Sequence, residues 1–258
     1  MPNRIDDFVR RVKNPFWVNT SRANEIFEGF SFEDVCPPER WENIPHLRFR
    51  VGPVETLESG PGSRLAGPAL AGAPDGYELA AHLDLAELAD VHRGEVPLPS
   101  EGTLTLFTDV VETRVQLRRD LTATGAPARG RRLIPELVER VDRRAEREAE
   151  VHGRCVNRMF WGQSPQTGTW LYWAAMFELK RHGLGGSLKE LREAEAKGVD
   201  VVEIIRGLTS WRMLWQIDGD DEIGLTAGGE DRLYVFIRLD DLEAGRFDRV
   251  VPVVEPHS

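Results

Sequence analysis

Two stretches of this chain echo one another, and the echo restricts the possible folds more than any other feature. Residues 78–107 run ELAAHLDLAEL, a connection, then GTLTLF; residues 213–242 run MLWQIDGDDEIGL, a Gly-rich connection, then DRLYVFIRLDDL. Each is an apolar strand closed by an aspartate (Asp84 in one, Asp218 in the other), a polar connection and a second apolar strand. A repeated supersecondary unit predicts an α+β protein of pseudo-symmetric build, with two antiparallel sheet units and helices inserted between them. The expected layout is a single domain over residues 1–258 with quasi-repeat halves at 45–118 and 205–255 and a helical insertion at 133–206. The seam between the halves is the expected place for a ligand.

Local patterns fill in this frame. Apolar spacing predicts helices over Ile5–Lys13 and Asn24–Phe32. His46 to Val51 alternates, which predicts a strand with Leu47, Phe49 and Val51 on one face. Residues 59–76 are crowded with Gly, Pro and Ala and read as a loop, and Glu112–Leu117 reads as the hairpin partner of Thr103–Phe107. Residues 122–132 read as a flexible basic linker, and Pro135–Val151 as a charged helix with Pro135 in its first turn. Thr169 is placed to cap a helix over Trp170–Arg181 that stops at Gly183. Ser187 with Glu190 and Asp200 with Glu203 fit capping boxes of two short helices broken at Gly198. Strands are expected near Arg212–Ile217, Leu233–Ile237 and Arg249–Val254.

Composition narrows the function classes. A formal charge of −10 opposes nucleic-acid binding, because that affinity comes from neutralising phosphates with Lys and Arg. No apolar run is long enough to span a membrane and the N-terminus has no signal-peptide core, so a cytoplasmic protein without membrane attachment is expected. Cys36 and Cys155 are too few for a disulfide framework, and His152-Gly153-Arg154-Cys155 has no third group to orient a catalytic thiol. No Walker loop, G-x-G-x-x-G, H-E-x-x-H or G-x-S-x-G is present, and no cofactor and no metal site is expected.

The residues with chemical potential are acidic and aromatic. Asp218, Asp220, Asp221 and Glu222, with Asp84 on the echoing strand, are oxygen donors suited to a cation, or to an acid and base of differing pKa. A calcium loop does not fit, since Ile223 occupies the position of its Gly and Gly229 that of its bidentate Glu. The plainer reading is an acidic turn whose first Asp caps backbone N–H groups. Alternation puts His82 on the same strand face as Asp84, a pair suited to proton transfer or to a structural hydrogen bond. Trp170, Trp173 and Phe177 share a helical face, which reads as core. Arg118-Arg119 and Arg129-Gly130-Arg131-Arg132 offer guanidinium groups to phosphate or carboxylate, with a solvated face as the default.

The C-terminal third resembles the YwqG-like family of bacterial proteins, a group without an assigned function. The residues carrying the resemblance are Trp211 to Asp218, Asp220-Asp221-Glu222, Asp231 to Ile237, Asp241-Leu242 and Arg246 to Val250. Gly62 to Pro68 looks like the family's SKLGG-x-P loop, Leu83 to Leu88 like its Q-I-D-L-x-x-L segment, and Leu98 to Gly102 like its L-P-x-x-G turn. The chain departs from the pattern at His82, where the family has Gln, at Ala66, where it has Gly, and at Asn157, where an H-R-x-x-G segment has His. Together these features imply a non-catalytic bacterial binding or accessory protein that holds a protein or small molecule between its halves, with Gln216, Asp218, Arg158 and Trp211 as ligand-binding residues. The alternative is a biosynthetic or hydrolytic enzyme using Asp84 and Asp218 as paired carboxylates, with His82 beside them.

Overall fold

The computed structural model describes residues 45–58, 60–71, 73, 75–108, 113–118, 125–139, 157–159, 169–185, 188–225 and 232–255. These residues form ten strands and five α-helices, an α+β fold. They divide into a sheet unit (the described residues within 44–141, 148–161 and 213–258) and a helical unit (those within 162–212). The helices expected over Ile5–Lys13 and Asn24–Phe32, and the His152–Cys155 segment, lie outside the described residues.

In the sheet unit, β1 (His46–Leu57), β2 (Arg64–Ala66) and β3 (Glu78–Asp84) precede α1 (Leu85–His92). Then come β4 (Thr103–Thr108), β5 (Thr113–Arg118), β6 (Ala128–Val138) and β7 (Asn157–Met159). After the helical segment follow β8 (Trp211–Asp218), β9 (Arg232–Arg238), the short helix Leu239–Glu243 and β10 (Val251–Glu255). The strands lie in the order β10-β9-β8-β7-β1-β6-β2-β3-β4-β5. Outward from the antiparallel β1–β6 pair the order is therefore β7-β8-β9-β10 on one side and β2-β3-β4-β5 on the other.

Register separates an apolar face from a polar one. Leu65 pairs with Ala81, Ala81 with Leu106, and Leu83 with Leu104, and all five are buried in the core with Leu47, Phe49 and Leu133. Burying each large apolar side chain is worth about 1.5–3 kcal/mol, so this face supplies most of the unit's cohesion. Neighbouring positions point the other way and carry Arg48, Arg64, His82, Thr105, Arg132 and Glu136.

Four local expectations are corrected. The connection after Asp84 is the helix α1, and the loop over 59–76 contains β2. The end of the basic linker from Ala128 and the start of the charged helix up to Val138 are instead β6, an inner strand. Pro135 survives there because β2 pairs with β6 over Gly130–Arg132 and stops short of it. Gly130 lets β2 approach: a Cβ on it would lie 2.8 Å from the Leu65 carbonyl oxygen and 3.1 Å from the Gly67 nitrogen. Gly130→Ala is accordingly expected to cost about 1–3 kcal/mol through overpacking against backbone, read as a lower urea midpoint at unchanged slope. The hairpin of β4 with β5 is as the alternation predicts.

In the helical unit, α2 (Thr169–Arg181) buries Ala174, Ala175 and Leu179. Trp173 stacks on Phe177 at 6.2 Å between centroids and Phe177 meets Trp211 at 5.0 Å; Trp211 is buried, whereas Trp173 and Phe177 are half-buried at the edge of the expected core. The Trp170 side chain lies outside the described residues. After α3 (Leu188–Ala196) the chain turns at Gly198, whose φ is +85°, and Asp200 caps α4 (Val201–Arg206) by accepting from the Glu203 N–H at 3.1 Å. The helix Leu239–Glu243 is α5. No described helix is long and apolar enough to cross a membrane.

Candidate functional site

Four side chains stand in a cross-strand row on the polar face of the sheet unit. Arg132 of β6 pairs with Arg64 of β2, Arg64 with His82 of β3, and His82 with Thr105 of β4. Directly opposed side chains lie about 5 Å apart, so each is in reach of the next. Arg64 is 2% exposed, His82 4% and Thr105 0%. Arg64 Nε, His82 Nδ1 and Thr105 Oγ1 are nevertheless without hydrogen-bond partners. Buried polar groups are ordinarily satisfied, so three neighbouring exceptions on one face are informative.

The electrostatics are equally specific. Burial, with the nearby Arg132 adding to it, lowers the pKa of Arg64 from its ordinary value. Burial lowers His82 to about 4, with Arg64 pushing the same way and Asp84 opposing, so the ring is neutral near pH 7. A neutral imidazole presents one donor and one acceptor nitrogen.

A glycine-rich loop closes one end of this row. Arg64 Nη1 donates to the Gly60 carbonyl at 3.0 Å, and Arg132 Nη1 to that of Pro61 at 3.0 Å. The loop is tied to the start of α1. The Gly62 N–H donates to Asp84 Oδ2 at 3.2 Å and the Ser63 N–H to Glu87 Oε2 at 2.8 Å. Ser63 Oγ in turn accepts the Asp84 N–H at 3.1 Å. Asp84 Oδ1 also takes the Ala86 and Glu87 N–H groups, so Asp84 is both the helix cap and the anchor of the loop.

The same face continues across β1, β7 and β8. Glu136 pairs in register with Arg48, Arg48 with Arg158, and Arg158 with Gln216. Glu136 binds both Arg48, at 3.1 Å, and Arg50. Burial opposes its ionisation, yet the two arginines hold its pKa below the usual value. Asp218 takes Arg232 Nε at 2.6 Å and Gln216 Nε2 at 3.4 Å. Burial works against the Arg232 charge, but Asp218 and Tyr234 outweigh it and its pKa is raised. In the acidic turn it is Asp220, not Asp218, that caps, by accepting from the Glu222 N–H. Arg131 joins that turn to β6, donating to Asp220 and to Glu222, each at 2.5 Å.

The structure thus places His82, Asp84, Gln216 and Asp218 in the sheet unit and pairs Gln216 with Asp218. His82 and Asp84 interact through charge, and His82 Nδ1 has no hydrogen-bond partner. The Arg158 backbone joins the polar row, while its side chain lies outside the described residues. Trp211 belongs to the helical unit, where its indole N–H donates to buried Glu178 at 2.8 Å. Among the described residues no group of three or more His, Cys, Asp or Glu is placed to hold a metal ion. Sequence reasoning missed Arg64, Thr105 and Arg232 as site residues and singled out Arg131 only as part of a basic run; the signal for Arg64 was its place inside the Gly62–Pro68 loop.

Residues 159–255 match a family model described as a domain of unknown function, DUF1963. None of the curated proteins compared with the chain matches it. The matched span covers the second echo and the helical segment before it, and leaves out Arg64, His82 and Asp84.

Proposed function

We propose that this chain is a non-catalytic bacterial binding or accessory protein of the YwqG-like type, holding a ligand between two quasi-repeats. The strand order, with four strands on each side of the β1–β6 pair, supports the duplication. One observation carries the binding reading. On the polar face the carboxylates are committed to internal donors, whereas Arg64, His82 and Thr105 keep buried polar atoms unfilled. An unfilled buried donor costs about 1–3 kcal/mol, a cost a ligand acceptor removes. The enzyme alternative asks more of the molecule. Asp84 would have to release the Gly62, Ala86 and Glu87 N–H groups, and Asp218 the Arg232 guanidinium, before either took a proton.

The test is native mass spectrometry of the protein purified from its own host, repeated under denaturing conditions. A stoichiometric adduct that denaturation releases is the expected result. A bare chain mass under native conditions in every preparation contradicts the reading.

A further inference from the structure

We propose that Arg64 receives the carboxylate of a small organic acid, with Thr105 and His82 completing the site. This assignment rests on the binding reading above, specifies its ligand, and moves the site from the seam into the first quasi-repeat, across β2, β3 and β4. Arg64 is the buried cation of the described sheet unit that lacks a counterion. Its guanidinium makes one hydrogen bond, to the Gly60 carbonyl, and its Nε–H meets nothing. An uncompensated buried charge costs several kcal/mol, and folded chains carry one when something else supplies the opposite charge.

The Nε edge is the side of the guanidinium without a hydrogen-bond partner. Gly67 has a φ of +106°, and a Cβ on it would lie 3.3 Å from Arg64 Cδ and 3.4 Å from Nε. Gly67 thus packs beside Arg64 and Leu57, and a side chain there would press on the guanidinium stem. Guanidinium edges bind planar oxyanions through parallel N–H donors. Thr105 Oγ–H and a His82 Nδ1–H tautomer can fill further lone pairs of the same group, since a carboxylate has about four.

Charge selects the ligand class. His82 is neutral and Thr105 uncharged, so Arg64 leaves a single positive charge to be balanced. Arg132, the next cation in the row, is engaged with the Pro61 carbonyl and lies 3.8 Å from Glu55. One negative charge closes the balance; a phosphate dianion overshoots it. The near-complete burial of Arg64, His82 and Thr105 favours a small molecule over a protein side chain.

The experiment measures thermal unfolding of the full chain with acetate, acetamide, inorganic phosphate or chloride at matched ionic strength. Acetate is expected to raise Tm with the logarithm of its concentration, by about 4 °C or more once far above Kd, while acetamide and chloride do not. Arg64→Met should fold with a Tm equal to or above the parent's, because it removes an unpaired charge, and should lose the acetate response. Thr105→Val, nearly isosteric, should weaken that response, and keeps the test decisive if Arg64→Met does not fold. Equal effects of acetate and acetamide, a larger effect of phosphate, or an undiminished acetate response in both variants overturns the assignment. A retained adduct without a carboxylate in native mass spectrometry also overturns it, yet leaves the binding reading standing.

Discussion

Asp218→Asn is expected to lower unfolding free energy by about 3 kcal/mol, the largest loss from any single polar substitution on this face. The Asp218 and Arg232 side chains are only 8% and 14% exposed, and the 2.6 Å contact between them spans two strands. The Asn side chain preserves shape but removes the charge, leaving Arg232 buried beside a neutral amide. Breaking a buried pair from one side costs more than the pair contributes, because the surviving ion has lost its water as well as its partner. Replacing both, as Asp218→Asn with Arg232→Met, should therefore recover much of the loss. The measurement is a urea double-mutant cycle, with a coupling energy of at least about 1 kcal/mol expected. A single-variant loss below about 0.5 kcal/mol would show that the pair is solvated and that Asp218 is available for other chemistry.

The second large effect is acid sensitivity centred on His82. Its folded pKa of about 4 lies below the ordinary value of 6.5, so the unfolded chain binds this proton more readily than the folded one. The stability tied to the neutral ring is thus present above 6.5 and is lost as pH falls from there towards 4. Between pH 7 and pH 4.5 the loss amounts to about 2 kcal/mol. Two charged neighbours face the ring, Arg64 opposing its protonation and Asp84 favouring it. His82→Gln, which keeps a polar side chain but cannot titrate, should remove this component. The parent's denaturant midpoint should fall relative to that of His82→Gln as pH is lowered. Parallel midpoints across pH 7 to 4.5 would mean that His82 is hydrated in the folded state.

Much of the architecture was visible in the chain because alternation and punctuation agree there. Leu47, Phe49 and Val51 mark β1, the two echoes mark β3, β4, β8 and β9, and Asp200 with Glu203 marks the start of α4. The stretch forming β6 was not visible. Arg129, Gly130, Arg131 and Pro135 carry local linker and helix-start signals, and only pairing with β1 and β2 makes them a strand. The DLAEL segment misled differently, since Asp84 ends a strand and starts a helix in one residue.

The site was half legible for the same reason. His82, Asp84, Gln216 and Asp218 stand out because the echo repeats them. Arg64 and Thr105 do not, since their importance comes from register: Arg64 lies opposite His82, and His82 opposite Thr105. Register depends on how remote strands meet, which no local pattern specifies. Arg131 was noticed as part of a basic run, but its partners Asp220 and Glu222 lie far along the chain.

The most direct measurement is the ¹⁵N–¹H resonance of Arg64 Nε, identified by its disappearance in Arg64→Met. In protein freed of ligand, its proton should shift downfield and saturate as acetate is added, with acetamide leaving it in place. An Nε–H that stays fixed through the acetate titration would contradict the account at its centre, for it would mean that the unpartnered edge of this buried guanidinium holds no carboxylate.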